Sequence, residues 1–192
     1  MKIEKTVRIF RSMPTLETER LILRPMCRSD YSDMFDYARR EPLTRYLLWE
    51  PHPTESYTRE YLKYIEGRYR AGDFYDWAVT LRSTSKMIGT CGFTRIDHAS
   101  DLGELGYVLN PDYHGCGYAT EAARRVMEFG FDELGFHRLE ARFMQGNDAS
   151  LRVMKKLGMS FEGYSRECLY VKGEYKTVGI CAILAREYYG KR

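Results

Sequence analysis

One stretch constrains this chain more than any other: residues 104–122, ELGYVLNPDYHGCGYATEA. It opens as a short run, Glu104 to Leu109, that reads as a strand and stops at Asn110-Pro111. It closes as an amphipathic helix with Ala119, Ala122, Ala123, Val126, Met127 and Leu134 at helical spacing and Gly135 behind them. Between the two lies His114-Gly115-Cys116-Gly117. The first amides of a helix have no internal partner, and its N-terminus carries partial positive charge. Glycines at 115 and 117 permit positive φ and close backbone approach. The junction is therefore either a nest of N–H donors suited to a pyrophosphate or an ordinary glycine-rich strand-to-helix turn. Two nucleotide motifs fit poorly. A P-loop needs Gly-Lys-Ser/Thr, where this chain has Gly117-Tyr118-Ala119, and a dinucleotide fingerprint needs a third Gly where Thr120 stands.

Around this stretch the periodicity spells a mixed α/β order. RLILRP (20–25) reads as a strand, and Ser29 and Asp30 as caps of a helix bearing Tyr31, Met34, Phe35 and Ala38. Thr54 reads as the cap of a helix with Tyr57, Tyr61, Ile65 and Tyr69 in a stripe and Gly72 at its end. FYDWAVTL (74–81) and KMIGTCGF (86–93) form a hairpin around Ser83-Thr84-Ser85. After the glycine loop and its helix come a strand at 137–144, a helix from Asn147 to Gly158, and strands at 159–171 and 175–185 around Lys172-Gly173-Glu174. One βαβ-like unit inside a run of strands argues for a mixed sheet and against a doubly wound alternation.

With 192 residues and 44% hydrophobic content, the chain suits one domain with one core. The formal net charge of +3 does not announce a polyanion binder, so direct nucleic-acid binding is not expected. Cysteines 27, 91, 116, 168 and 181 and histidines 52, 98, 114 and 137 are scattered, which suggests no disulfide framework and no metal site. The N-terminal MKIEKTVRIFRSMP lacks an apolar h-region, and no stretch approaches a membrane span. A cytoplasmic protein with reduced cysteines is the expectation.

The combination of TERLILRPM (18–26), MIGTCGF (87–93), residues 104–122, HRLEARFMQGNDASLRVMKKLGM (137–159) and Glu162-Gly163, in that order, resembles the GNAT N-acetyltransferases. Within them it is most similar to the RimJ/RimL-like group of ribosomal-protein alanine acetyltransferases. The resemblance implies an acyl-CoA N-acyltransferase fold of the α/β class, with a mostly antiparallel central sheet of about seven strands and about four flanking helices. It places one domain at residues 16–187, with an N-terminal extension at 1–15 and a tail at 188–192. It implies acetyl-CoA as cofactor: the amides of Tyr107, Val108 and Leu109 meet the acetyl and pantetheine arm, and His114, Gly115, Cys116, Gly117, Tyr118, Ala119 and Thr120 form the pyrophosphate loop. His114 stands where the family has Gln or Arg, which leaves the amides and not that side chain as the expected ligands.

Acetyl transfer to an amine needs an unprotonated amine, a donor for the developing oxyanion and a leaving thiolate. Glu104 shares a strand face with Gly106 and Val108; spacing alone favours an exposed strand glutamate, and the resemblance instead makes it the base. Many GNAT enzymes carry an acidic tyrosine where this chain has Met154, which cannot donate a proton. Asn147-x-x-Ser150 matches the RimJ/RimL-like pattern instead, so Ser150 is implied to protonate the leaving thiolate and Asn147 to hold the pantetheine. A plain N-cap with a first-turn serine fits the same residues. A rival reading makes Cys116 a nucleophile beside His114 at a helix N-terminus. On the acceptor side, Tyr46, Trp49 and Glu50 are expected to wall the groove and attract an amine, with Tyr57 and Tyr61 serving the groove or the core. The reading is thus an acetyl-CoA:amine N-acetyltransferase, monomeric or homodimeric, acting on a protein N-terminal α-amine. A small-molecule amine such as a polyamine or an aminoglycoside, and a non-catalytic acyl-CoA-binding module, stand as alternatives.

Overall fold

Helix α1 (Ile3–Arg11) opens the computed structural model, which describes residues 3–190. Strands β1 (Leu16–Glu17) and β2 (Leu21–Arg24) follow, then α2 (Tyr31–Ala38), the short α3 (Glu41–Thr44) and α4 (Glu55–Ala71). The Thr54 side chain caps α4 by accepting from the Tyr57 amide at 3.2 Å, and Gly72 ends it at φ 77°. The buried stripe of α4 is Thr58, Leu62, Ile65 and Tyr69, so Ile65 and Tyr69 are buried as expected, while Thr58 and Leu62 take the inner places expected of Tyr57 and Tyr61. The cause is polar: Thr58 Oγ1 lies 2.8 Å from His52 Nδ1, which satisfies a buried threonine and leaves Tyr57 outside. Asp30 also departs from its expected role. It is buried against Arg24, with guanidinium nitrogens at 2.6 and 2.8 Å, and that pairing holds its carboxyl below the usual range although burial pushes the other way.

Strands β3 (Asp76–Leu81), β4 (Met87–Asp97) and β5 (Leu102–Leu109) come next, followed by α5 (Tyr118–Phe129), β6 (Arg138–Met144), α6 (Asp148–Lys156), β7 (Ser160–Val171), β8 (Glu174–Leu184) and α7 (Ala185–Tyr189). The eight strands form one sheet in the order β1-β2-β3-β4-β5-β6-β8-β7. Every neighbouring pair is antiparallel except β5 with β6. The expected count of strands and helices is exceeded because two-residue β1 and the short helices α3 and α7 leave little periodicity to read.

The β5–β6 pair decides the function of the fold. Its register runs only from Leu102↔Arg138 to Leu105↔Ala141, while β5 stays paired with β4 to Leu109 and β6 with β8 to Met144. The sheet therefore forks after Leu105, and β5 presents an unpaired edge.

Below the fork the core is aromatic. Phe10, fully buried on α1, meets Tyr75, Trp77 and Phe129 edge-on at 4.7, 5.7 and 6.2 Å, and Trp77 donates from Nε1 to the Pro14 carbonyl at 2.7 Å. Residues 3–14, read as part of an extension, thus help close the main core.

One charge in this region carries a cost. Asp76 Oδ1 is buried without a hydrogen-bond partner, and burial pushes the carboxyl up to about 7, against the pull of the Thr90 hydroxyl and the Trp77 amide. The folded protein thus holds this proton more tightly than the unfolded chain, whose carboxyl titrates near the ordinary 3.8. Stability from this group is present below about pH 4 and lost as pH rises through about 7. Asp76→Asn, fixed in the neutral form, should match wild type in thermal melts at pH 4. At pH 8 it should be the more stable by up to about 4 kcal/mol; an equal difference at both pH values would refute the assignment.

Candidate active site at the sheet fork

Alternation along β5 determines what the fork offers. The Asn110 amide donates to the Ile88 carbonyl at 2.8 Å, so the backbone groups of Val108 and Gly106 also face β4. Those of Tyr107 and Leu109 face the open edge. Of the three amides expected to meet an acyl arm, Val108's is therefore turned away, because neighbouring residues of a strand bond to opposite sides. The Leu109 carbonyl is already engaged by His114 Nε2 at 2.9 Å, and since a carbonyl only accepts, that nitrogen carries the proton. The His114 side chain thus fastens the loop to the strand end and does not point into the loop.

The loop itself has the expected form. Gly115 and Gly117 both adopt positive φ, 77° and 83°, a conformation a side chain would strain. The first α-type bond of α5 runs from Glu121 N to the Gly117 carbonyl, leaving the amides of Tyr118, Ala119 and Thr120 without helical partners. Cys116 is exposed, with Sγ 3.6 Å from the His114 carbonyl. With the His114 ring bound at Leu109, no imidazole–thiol pair forms, and the nucleophile reading loses its base.

A clamp that local sequence did not reveal fixes this loop. Glu121 accepts from Thr18 Oγ1 at 2.6 Å, from the Arg20 amide at 3.0 Å and from Arg20 Nε at 2.7 Å. Arg20 also donates to the Cys116 carbonyl at 3.0 Å and lies 4.4 Å over the Tyr118 ring. Burial would raise the Glu121 carboxyl, but the bonds from Thr18 and Arg20 hold it below its usual range. Both halves lie in stretches that carry the family resemblance, yet they sit about 100 residues apart and no periodicity joins them. Arg20→Ala removes charge-assisted bonds worth about 1 kcal/mol net. It should raise KM for acetyl-CoA about fivefold with kcat kept; an unchanged KM in steady-state kinetics would show that the loop needs no clamp.

Glu104 sits at the last paired rungs of the fork, its side chain mostly buried. Oε1 accepts from Thr94 Oγ1 at 2.8 Å, and Oε2 faces Arg142 Nε at 3.3 Å and Arg95 Nε at 3.9 Å. The carboxylate is therefore oriented by a hydroxyl and two guanidiniums, which the sequence reading did not include. Across the fork, Asn147 caps α6 by accepting from the Ser150 amide at 3.2 Å. Ser150 Oγ lies 2.9 Å from the Tyr107 hydroxyl, so strand β5 and helix α6 touch at this serine.

The residues expected on the acceptor side meet a second segment far away in sequence. Tyr46 donates to the Gly146 carbonyl at 3.1 Å, next to Asn147. Lys172, at the β7–β8 turn, donates to the Thr44 carbonyl at 2.8 Å and faces Glu50 at 3.6 Å. Glu50 is thus paired with a cation of this chain. Trp49 turns to His52, with ring centroids 5.3 Å apart. An open cleft of about 600 Å³ lies alongside, lined by Gln145, Tyr164, Arg166, Glu167 and Thr177. None of these five was singled out beforehand, because strand register alone brings β7 and β8 to the end of β6.

A forked mixed sheet with a glycine-rich helix start on one arm and a capped helix on the other defines an acyl-CoA N-acyltransferase. The unpaired edge at Tyr107 and Leu109 fits the amides of a pantetheine arm, and the free amides at 118–120 fit its pyrophosphate. The chain belongs to the GNAT acetyltransferases: the model of the acetyltransferase (GNAT) domain family matches residues 20–160. It is 32% identical over 178 residues to an uncharacterized N-acetyltransferase, p20, of Bacillus licheniformis, covering 93% of this chain and all of that one. It is 24% identical over 174 residues to the spermidine N(1)-acetyltransferase of Escherichia coli K12, covering 86% and 87%. Among solved structures, a GNAT-family acetyltransferase from Bacillus anthracis superposes with a TM-score of 0.81 at 29% identity, over 91% of this chain and all of that one. RimL, the ribosomal L7/L12 α-N-protein acetyltransferase solved with coenzyme A, shares the fold with a TM-score of 0.76 at 19% identity, over 89% and 98%. The protein is an N-acetyltransferase whose cofactor is acetyl-CoA. Among the described residues, no helix is long and apolar enough to cross a membrane.

Proposed function

We propose that this enzyme acetylates a protein N-terminal α-amine, with Glu104 as base and Ser150 as acid, in the cytoplasm and as a monomer or homodimer. The observation that carries the reading is the fork: Glu104 stands where it opens, and Ser150 faces its free edge through Tyr107. Acetyl-CoA, when bound, supplies an activated acetyl thioester. Asn147, Tyr107 and Leu109 hold its arm and the 115–120 amides its pyrophosphate. Glu104 would take one proton from the acceptor ammonium. As the freed nitrogen bonds to the acetyl carbon and the bond from that carbon to sulfur breaks, Ser150 would pass its hydroxyl proton to the sulfur and regain one from the second proton that the nitrogen releases. The Tyr107 amide, free on the open edge, would be available as a donor to the developing oxyanion.

Charge in the groove favours a peptide over a polycation. Arg166 and Glu167 both line the cleft and Lys172 faces Glu50, so the groove carries charge of both signs and does not concentrate negative charge as a polycation site would. A polyamine acceptor is the second reading, favoured by the likeness to the spermidine enzyme. Thiol release from acetyl-CoA, followed with peptides bearing free or blocked N-termini and with spermidine, separates them. Free N-termini should accelerate release and blocked ones should not; acceleration by spermidine alone selects the second reading. Acetyl-CoA binding with no acceleration by any amine would make the chain a binding module.

A further inference from the structure

The Tyr107 side chain has a job that its place in the strand motif does not express. Its ring packs toward the core, and its hydroxyl lies 2.9 Å from Ser150 Oγ and 3.0 Å from the Ser150 carbonyl. A phenol has one proton, and a carbonyl can only accept. With that proton on the carbonyl, Ser150 must donate to the Tyr107 oxygen, and its own proton points away from the gap. With that proton on Ser150 Oγ, the serine hydrogen is free to turn toward a group in the gap, and the chained donors strengthen each other. The serine has little other freedom, since Asn147 fixes the first turn of α6 through the Ser150 amide. Burial pushes the phenol above its ordinary range although the Ser150 bond pulls it down, so Tyr107 keeps its proton throughout the working range.

We propose that Tyr107 is the positioning residue for Ser150: its half-buried hydroxyl donates to Ser150 Oγ across the sheet fork and so aims the serine proton at the leaving sulfur. The inference rests on Ser150 being the acid, and its test keeps the two ideas apart. Tyr107→Phe retains the ring and loses one hydrogen bond, so the variant folds. Steady-state kinetics on Tyr107→Phe, Ser150→Ala and the double variant form a cycle. Tyr107→Phe should lower kcat about tenfold, with KM for acetyl-CoA within about twofold of wild type. In the Ser150→Ala background the same change should alter kcat less than about twofold. Ser150→Thr, which returns a hydroxyl, should bring the Tyr107→Phe penalty back. Equal penalties with and without the Ser150 hydroxyl, or no penalty on wild type, overturn the positioning role. A silent Ser150→Ala instead overturns the acid on which it rests.

Discussion

Glu104→Gln should lower kcat about a hundredfold while leaving KM for acetyl-CoA close to wild type. The amide keeps the size of the side chain and an oxygen for Thr94 Oγ1, now 2.8 Å from the carboxylate, but it cannot take a proton. An α-amine titrates near 8 and a lysine-like amine near 10.4, so the acceptor enters largely protonated at neutral pH. The deficit should therefore shrink as pH rises and the acceptor deprotonates without help. Pre-steady-state and steady-state rates between pH 6.5 and 9.5 test this directly. If kcat is unchanged at pH 7, Glu104 is only the structural partner of Thr94, Arg95 and Arg142. Loss of the partly exposed ion pairs alone would appear as a change in stability below about 1 kcal/mol.

Phe10→Ala should destabilise the fold by about 3–5 kcal/mol, which for a chain of this size lowers Tm by about 10 °C. The side chain is fully buried, and three aromatic rings meet it edge-on. None of those partners lies on the fork, so kcat/KM measured well below the melt should hold within a few-fold. A fall in Tm of only a degree or two would mean that α1 rests on the core without belonging to it. Together the two variants separate chemistry from folding: one loses turnover and keeps its melt, the other does the reverse.

The contrast between Glu104 and Phe10 also marks what could be read from residues in a row. The strand, the Asn-Pro stop, the paired glycines and the helix start at 104–121 are local features with local causes. The positive φ of Gly115 and Gly117 and the Asn147 cap of α6 were legible for that reason. The second half of the α4 stripe, Ile65 and Tyr69, was legible too; the first half differs by one residue because a buried threonine is satisfied by His52, a partner that hydropathy does not count. Phe10 looked peripheral because a nine-residue helix near the N-terminus shows no local sign of what it packs on.

By itself the sequence determined the family, the form of the glycine loop that opens α5 and the residue types able to move protons, since those depend on short spacings and side-chain chemistry. Tertiary structure alone decided that β5 and β6 part after Leu105, because register between strands more than 30 residues apart is set by the whole sheet. It alone turned the Val108 amide away and the Tyr107 amide toward the gap, joined Thr18 and Arg20 to Glu121, and paired Glu50 with Lys172. It also brought the Tyr107 hydroxyl to Ser150. Each of these depends on a distance through space between residues remote in the chain, which hydropathy and spacing do not encode.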